Sequence, residues 1–126
     1  MEMMMNTRQK MEQALRTLYD KVFNEGRGDL LPRLISGPYL QHNPLFPNGP
    51  EPLMGFLKEA GRLPCDVKRI GIDGDLAFVH VRYPSWAGKE HAAVDIFRFD
   101  DDGRIVEHWD VLQPVPETAA NSNTMF

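Results

Sequence analysis

The sequence predicts an α+β fold in which three N-terminal helices cover a cone-shaped, curved antiparallel sheet of about four strands. Two observations carry this. Apolar residues recur at three- and four-residue spacing before Pro64, and at strand-like spacing in short segments after it. The later segments are joined by short connectors, and a parallel crossover would need a dozen or more residues. With 126 residues the chain reads as one domain, 1–126, with a C-terminal tail at 114–126.

From Thr7 to Glu25, Met11, Ala14, Leu15, Leu18, Tyr19, Val22 and Phe23 form one apolar helical stripe. Asn6 or Thr7 can cap its start, and Gly26 can end it in the left-handed conformation. A short second helix spans about Asp29 to Ile35, with Asp29 as its cap. Pro38, Pro44, Pro47, Pro50 and Pro52, with Gly37 and Gly49, argue against a long regular element between Gly37 and Glu51, so this stretch reads as a loop. A third helix runs from about Pro52 to Ala60, with a proline in its first turn.

Four strands follow: Cys65–Ile72, Leu76–Tyr83, Ala92–Phe99 and Arg104–Gln113, separated by Asp73-Gly74-Asp75, a Pro84–Glu90 loop and Asp100–Gly103. Strands bulky on both faces curl, and helices closing a curled sheet leave a conical cavity. The tail either frays or docks through Met125-Phe126, on its own domain or across a dimer.

Composition excludes several functions. Net charge is −4 and the basic residues are scattered, so no basic stripe is available for nucleic acid. No apolar run approaches the ~20 residues that span a bilayer, and the Met-rich opening Met1–Met5 does not read as a signal peptide. A single cysteine, Cys65, rules out an internal disulfide and fits a reducing cytoplasm, where the protein is expected.

The strand at 104–113 carries the strongest chemical signal. Alternation puts Val106, His108, Asp110 and Leu112 on one face, and Ile105, Glu107, Trp109 and Val111 on the other. His108 and Asp110, about 7 Å apart as same-face neighbours, can both contact one ligand but scarcely each other. Asp95 shares a face with Ala93, Phe97 and Phe99, where a carboxylate needs either a cation such as Arg82 or Arg69, or a role as a base. His42 lies in the proline-rich loop with Tyr39 three residues before it. Gln41 and Asn43 read as local backbone ties, and His80 and His91 as surface or structural residues.

His42, His108, Asp110 and Asp95 would make a two-histidine carboxylate set suited to iron or zinc. No compact metal motif occurs, and no metal is expected.

Three blocks resemble the SnoaL-like branch of the nuclear transport factor 2-like superfamily: Tyr39-Leu-Gln-His-Asn-Pro44, Ala93-Val-Asp-Ile-Phe-Arg-Phe99, and Asp102-Gly-Arg-Ile-Val-Glu-His-Trp-Asp-Val-Leu-Gln-Pro-Val-Pro116. The C-terminal end, Glu117–Phe126, resembles a bacterial subgroup described as predicted aldol-condensation-catalysing enzymes. For polyketide cyclases, the resemblance implies aldol ring closure without metal or organic cofactor, run by an aspartate in the cone. The matching position is Asp110, with His108 beside it and Asp95 across from it.

The resulting expectation is acid/base catalysis (aldol condensation, cyclisation or isomerisation) on a small hydrophobic molecule bearing a carbonyl. Asp110 or Asp95 would be the base, and His108, His42 or Tyr39 would bond the enolate oxygen. Tyr39, Phe56, Trp86, Phe97, Phe99 and Trp109 are the candidate walls. The alternatives are a non-catalytic binding or dimerisation module, and a hydrolase or dehydratase in the same pocket. The resemblance also implies a homodimer.

Overall fold

The computed structural model describes residues 4–126, so part of the Met-rich opening lies outside it. The first helix opens as α1 (Thr7–Arg16) and continues through a π-helical stretch, Thr17–Phe23. Its start is a capping box: Asn6 accepts from the Gln9 backbone N–H, and Gln9 accepts from that of Asn6. The π turn was not expected from the sequence, because the apolar stripe stays continuous through it.

After Phe23 the chain turns through Gly26 into a 3-10 turn (Gly28–Leu30) and α2 (Leu31–Leu34). Asp29 does not cap this helix; its carboxylate makes two 3.0 Å bonds with Arg27. Next come β1 (Ile35–Gln41), α3 (Glu51–Ala60), β2 (Asp66–Asp73), β3 (Leu76–Trp86), β4 (Lys89–Phe99) and β5 (Ile105–Pro114).

The architecture is α+β, with helices on a curved, open, mixed five-stranded sheet of order β1-β5-β4-β3-β2. It differs from the expected four-stranded antiparallel sheet by β1, which pairs parallel to β5. Gly37 and Pro38 hide β1 in the sequence, and both are tolerated there because it is an irregular edge strand. Its register jumps from Ile35↔Ile105 to Leu40↔Glu107, and Gly37 and Tyr39 take positive φ inside that bulge. The expected 84–90 loop is instead a tight hairpin, whose turn at Ala87-Gly88 has positive φ at both residues.

The core lies between the first helix and the concave sheet face. Met11, Leu15, Leu18, Tyr19 and Val22 pack over Val79, Val81, Phe97, Phe99 and Ile105. Asn24 clips the end of the helix to the start of the sheet by exchanging bonds with the Cys65 backbone. Burial pushes the neighbouring Cys65 thiol up to about 12, leaving it protonated and unreactive. The tail does not fray throughout: Phe126 stacks on His80 on the outer sheet face, with the Lys68 ammonium over its ring. No helix among the described residues is long and apolar enough to cross a membrane.

Gly26 has φ of 74°, and a Cβ there would sit 1.9 Å from the Gly61 carbonyl oxygen. Gly26→Ala is therefore expected to destabilise the fold by more than about 1 kcal/mol in urea unfolding. An unchanged midpoint would show that this crossing is not tight.

Candidate active site

Strand pairing assembles the polar centre. Asp95 on β4 is directly opposite Asp110 on β5, and His108 is opposite Phe97, so Asp95, His108 and Asp110 share the concave face. Asp95 is 3% exposed and His108 8%. The Asp95 Oδ2 accepts hydrogen bonds from the Tyr19 and Tyr83 hydroxyls, each at 2.6 Å, and Oδ1 lies 3.0 Å from His108 Nε2. The other ring nitrogen, Nδ1, is 2.7 Å from Gln41 Oε1. Gln41 reaches it because β1 places Gln41 beside His108 in the parallel register.

Asp110 is held differently. Asn43 Nδ2 donates to both its oxygens, at 2.9 and 3.1 Å. The Asn43 side-chain oxygen meanwhile accepts from the Leu45 N–H, which fixes the amide orientation. Burial raises the Asp110 pKa above the usual carboxylate range. The Asn43 bond and His108 oppose that shift, and Asp95 adds to it. Burial, reinforced by Asp95, also raises the Tyr19, Tyr83 and Tyr39 hydroxyls, so all three remain protonated.

The centre lines a cavity of about 50 Å³. Its walls are mostly apolar, including Leu18, Leu31, Leu53, Phe97, Ile105 and Leu112. Phe46 and Trp86 also line it, and Phe56 backs them with ring centroids 6.1 and 5.6 Å away. No lysine or arginine is among the lining residues.

Family comparison identifies the domain. The model of the SnoaL-like domain matches residues 15–108, well over half of the sequence. The chain belongs to the SnoaL-like domain family. No curated protein sequence matches it. Among solved structures, an NTF-2 like protein of unknown function from Burkholderia xenovorans LB400 superposes with TM-score 0.74 at 18% identity, covering 90% of this chain and 91% of that one. A steroid delta-isomerase from Pseudomonas aeruginosa gives TM-score 0.64 at 20% identity, covering 83% and 80%. IdmH from Streptomyces antibioticus, proposed to be a polyketide cyclase, gives 0.62 at 23% identity, covering 81% and 91%. At these identities the likeness is one of fold.

Of the sequence candidates in this SnoaL-like domain, Asp95, His108, Asp110, Tyr39, Trp86 and Phe97 line the cavity. Phe56 and Phe99 stand behind the walls, with Phe99 packed against Phe97. His42 and Trp109 do not reach the cavity. They stack on the outer sheet face with ring centroids 4.8 Å apart, and His42 Nε2 is 2.8 Å from Glu107. His42 follows Gln41 directly and its backbone N–H still bonds the His108 carbonyl, so ordinary strand alternation sends the two side chains to opposite faces of the sheet.

Two further expectations are corrected. His108 Nε2 and Asp110 Oδ2 approach to 3.8 Å, closer than their backbone spacing suggested, because both side chains lean together. Ile105 joins His108 on the concave face, because a bulge between the Arg98↔Glu107 and Phe99↔Ile105 pairs leaves Val106 unpaired and reverses the alternation there.

The sequence reading missed Tyr19, Tyr83, Gln41 and Asn43 as site residues, having counted Tyr19 only in the apolar stripe and Gln41 and Asn43 only as backbone ties, whereas they also hold His108 and Asp110. For the two tyrosines the available signal was their hydroxyls, since a buried phenol takes a hydrogen-bond partner. Asp95 finds neither Arg82 nor Arg69: Arg82 pairs with Glu90, and Arg69 donates to His80 Nδ1. Ligand atoms of Asp95, His108 and Asp110 lie within 4.8 Å of one another. A metal here would have to break the His108–Asp95 contact, and both Asp95 oxygens already have hydrogen-bonding partners, so the set does not fit a metal well.

Tyr19→Phe removes one donor from a buried carboxylate and is expected to cost about 1.5–3 kcal/mol in chemical denaturation. For Asp110 the sign is opposite. Its raised folded-state pKa means that the ionised group opposes folding, fully at pH above that raised value. The penalty fades as pH falls toward the unfolded carboxylate value. Asp110→Asn should therefore raise Tm at neutral pH, with the gain shrinking on acidification. A Tm difference that does not change with pH would contradict the shift.

Proposed function

We propose that this SnoaL-like domain is an acid/base enzyme acting on a small, uncharged, apolar molecule with a carbonyl group, without an organic cofactor or metal. The observation that supports it most is the contrast between two neighbouring carboxylates. Asp95 is saturated by two tyrosine hydroxyls and His108, whereas Asp110 faces the cavity, has its one side-chain donor in Asn43, and has a raised pKa. A carboxylate so placed is suited to accept a proton from carbon.

In this reading Asp110 removes a proton from the carbon next to the carbonyl. The negative charge moves onto the carbonyl oxygen as an enolate. Tyr39 supplies the hydrogen bond to that oxygen, because its hydroxyl accepts from Gln41 Nε2 at 3.5 Å and keeps its own hydrogen to donate. The enolate carbon then attacks a second carbonyl in an aldol closure, or is reprotonated at another position in an isomerisation. An uncharged substrate follows from the lining, which presents carboxylates and no cationic side chain to balance an anion.

The homodimer belongs to the same reading. Its surface would be the outer sheet face, where Phe78 and Val111 are 38% and 68% exposed, and sedimentation equilibrium reads it.

The chemistry is tested by deuterium exchange into apolar cyclic ketones, followed by NMR. Wild-type protein should catalyse α-exchange, and Asp110→Asn should slow it on the order of 10²–10⁴-fold. The rate should fall with acidification through a pKa above the ordinary aspartate value, since only ionised Asp110 accepts the proton. Exchange at the same rate in the variant would remove Asp110 as the base. Binding of such ketones without exchange would favour a binding module instead.

A further inference from the structure

Gln41 is placed where it decides which nitrogen of His108 carries hydrogen. Its amide orientation is fixed by a group that can only donate, the Asn43 backbone N–H, 3.0 Å from Oε1. The same oxygen is the atom 2.7 Å from His108 Nδ1. An amide oxygen has no hydrogen to give, so Nδ1 must carry one.

The opposite ring nitrogen is constrained as well. Two tyrosine hydroxyls occupy Asp95 Oδ2, leaving Oδ1 to face Nε2 at 3.0 Å. One proton on the line between Nε2 and Oδ1 completes the chain, whichever of the two atoms holds it. If it sits on Nε2, the pair is imidazolium and carboxylate; if on Oδ1, imidazole and carboxylic acid. Either way the pair is neutral.

We propose that Gln41 is a positioning residue that locks a hydrogen on His108 Nδ1, and so confines the mobile proton of the Asp95–His108 pair to the Nε2–Oδ1 line. The pair then adds no net charge beside Asp110, whose Oδ2 lies 3.8 Å from Nε2. Without the Gln41 acceptor, Nδ1 loses its reason to stay protonated. The imidazole keeps a single hydrogen on Nε2, donated to an Asp95 carboxylate, and one proton leaves to solvent. The pair becomes an anion next to Asp110. This deepens the proposed function and rests on His108 and Asp110 forming the working site.

The test is ¹⁵N NMR of histidine-labelled protein at neutral pH, resolving the two ring nitrogens of His108. In wild type, Nδ1 should resonate in the protonated, pyrrole-type range. In Gln41→Leu it should move to the unprotonated, pyridine-type range. Gln41→Glu retains an acceptor oxygen and should keep the pyrrole-type signal. An unprotonated Nδ1 in wild type overturns the assignment, as does a protonated Nδ1 in folded Gln41→Leu. Should Gln41→Leu not fold, wild type and Gln41→Glu still decide, because loss of the pyrrole-type signal in either is fatal. Ketone exchange is a separate readout: its absence would count against the proposed chemistry and leave the nitrogen result standing.

Discussion

The burial of one carboxylate, Asp95, organises this domain. A charge at 3% exposure would be prohibitively unfavourable without partners. Its three partners come from three elements: Tyr19 from the π-helical part of the first helix, Tyr83 from β3 and His108 from β5. Satisfying the charge therefore fixes where the helix crosses the sheet and how adjacent strands face each other. Removing one partner leaves a buried polar atom without its hydrogen bond, which costs more than the net value of the bond itself.

The second carboxylate gains its individuality from that arrangement. Asp110 is the register partner of Asp95, so two acidic groups sit side by side on neighbouring strands, ordinarily an unfavourable pairing. The chain resolves the conflict by giving the groups unequal surroundings, one enclosed and saturated, the other turned to the cavity. The end of β1 and the loop after it complete this division, since Gln41 serves His108 and Asn43 serves Asp110. Each amide is oriented by a backbone N–H, from Asn43 and Leu45, so loop conformation and site geometry are a single constraint. Tyr39, at φ of 45°, stands in the β1 bulge just before that loop.

Much of this was legible from residue order. The strands from Asp66 to Pro114 announce themselves by alternation and turn residues, and Asp95, His108 and Asp110 stand out as polar groups on apolar faces. What was hidden is instructive. β1 carries Gly37 and Pro38, which read as breaks but are admissible on an irregular edge, and without β1 the parallel pairing that delivers Gln41 to His108 cannot be inferred. The Val106 bulge inverts the alternation locally and no residue type marks it. His42 was misplaced because a loop has no periodicity from which to read a face. Tyr19 and Tyr83 were hidden by their own bulk, since a tyrosine in an apolar stripe scores as hydrophobic until its hydroxyl needs a partner.

The placement of the two tryptophans has an optical consequence. They are the only tryptophans in the chain, and the sheet separates them. Trp86 lines the cavity beside Phe46, while Trp109 is sandwiched on the outer face between the His42 ring and the Arg98 guanidinium. The intrinsic fluorescence of the domain is thus the sum of two emitters in unlike surroundings, one exposed to whatever enters the cavity and one screened from it by the backbone of β5. Replacing Trp109 would leave a native fluorophore dedicated to the interior, a label-free reporter for ligands that change the surroundings of Trp86.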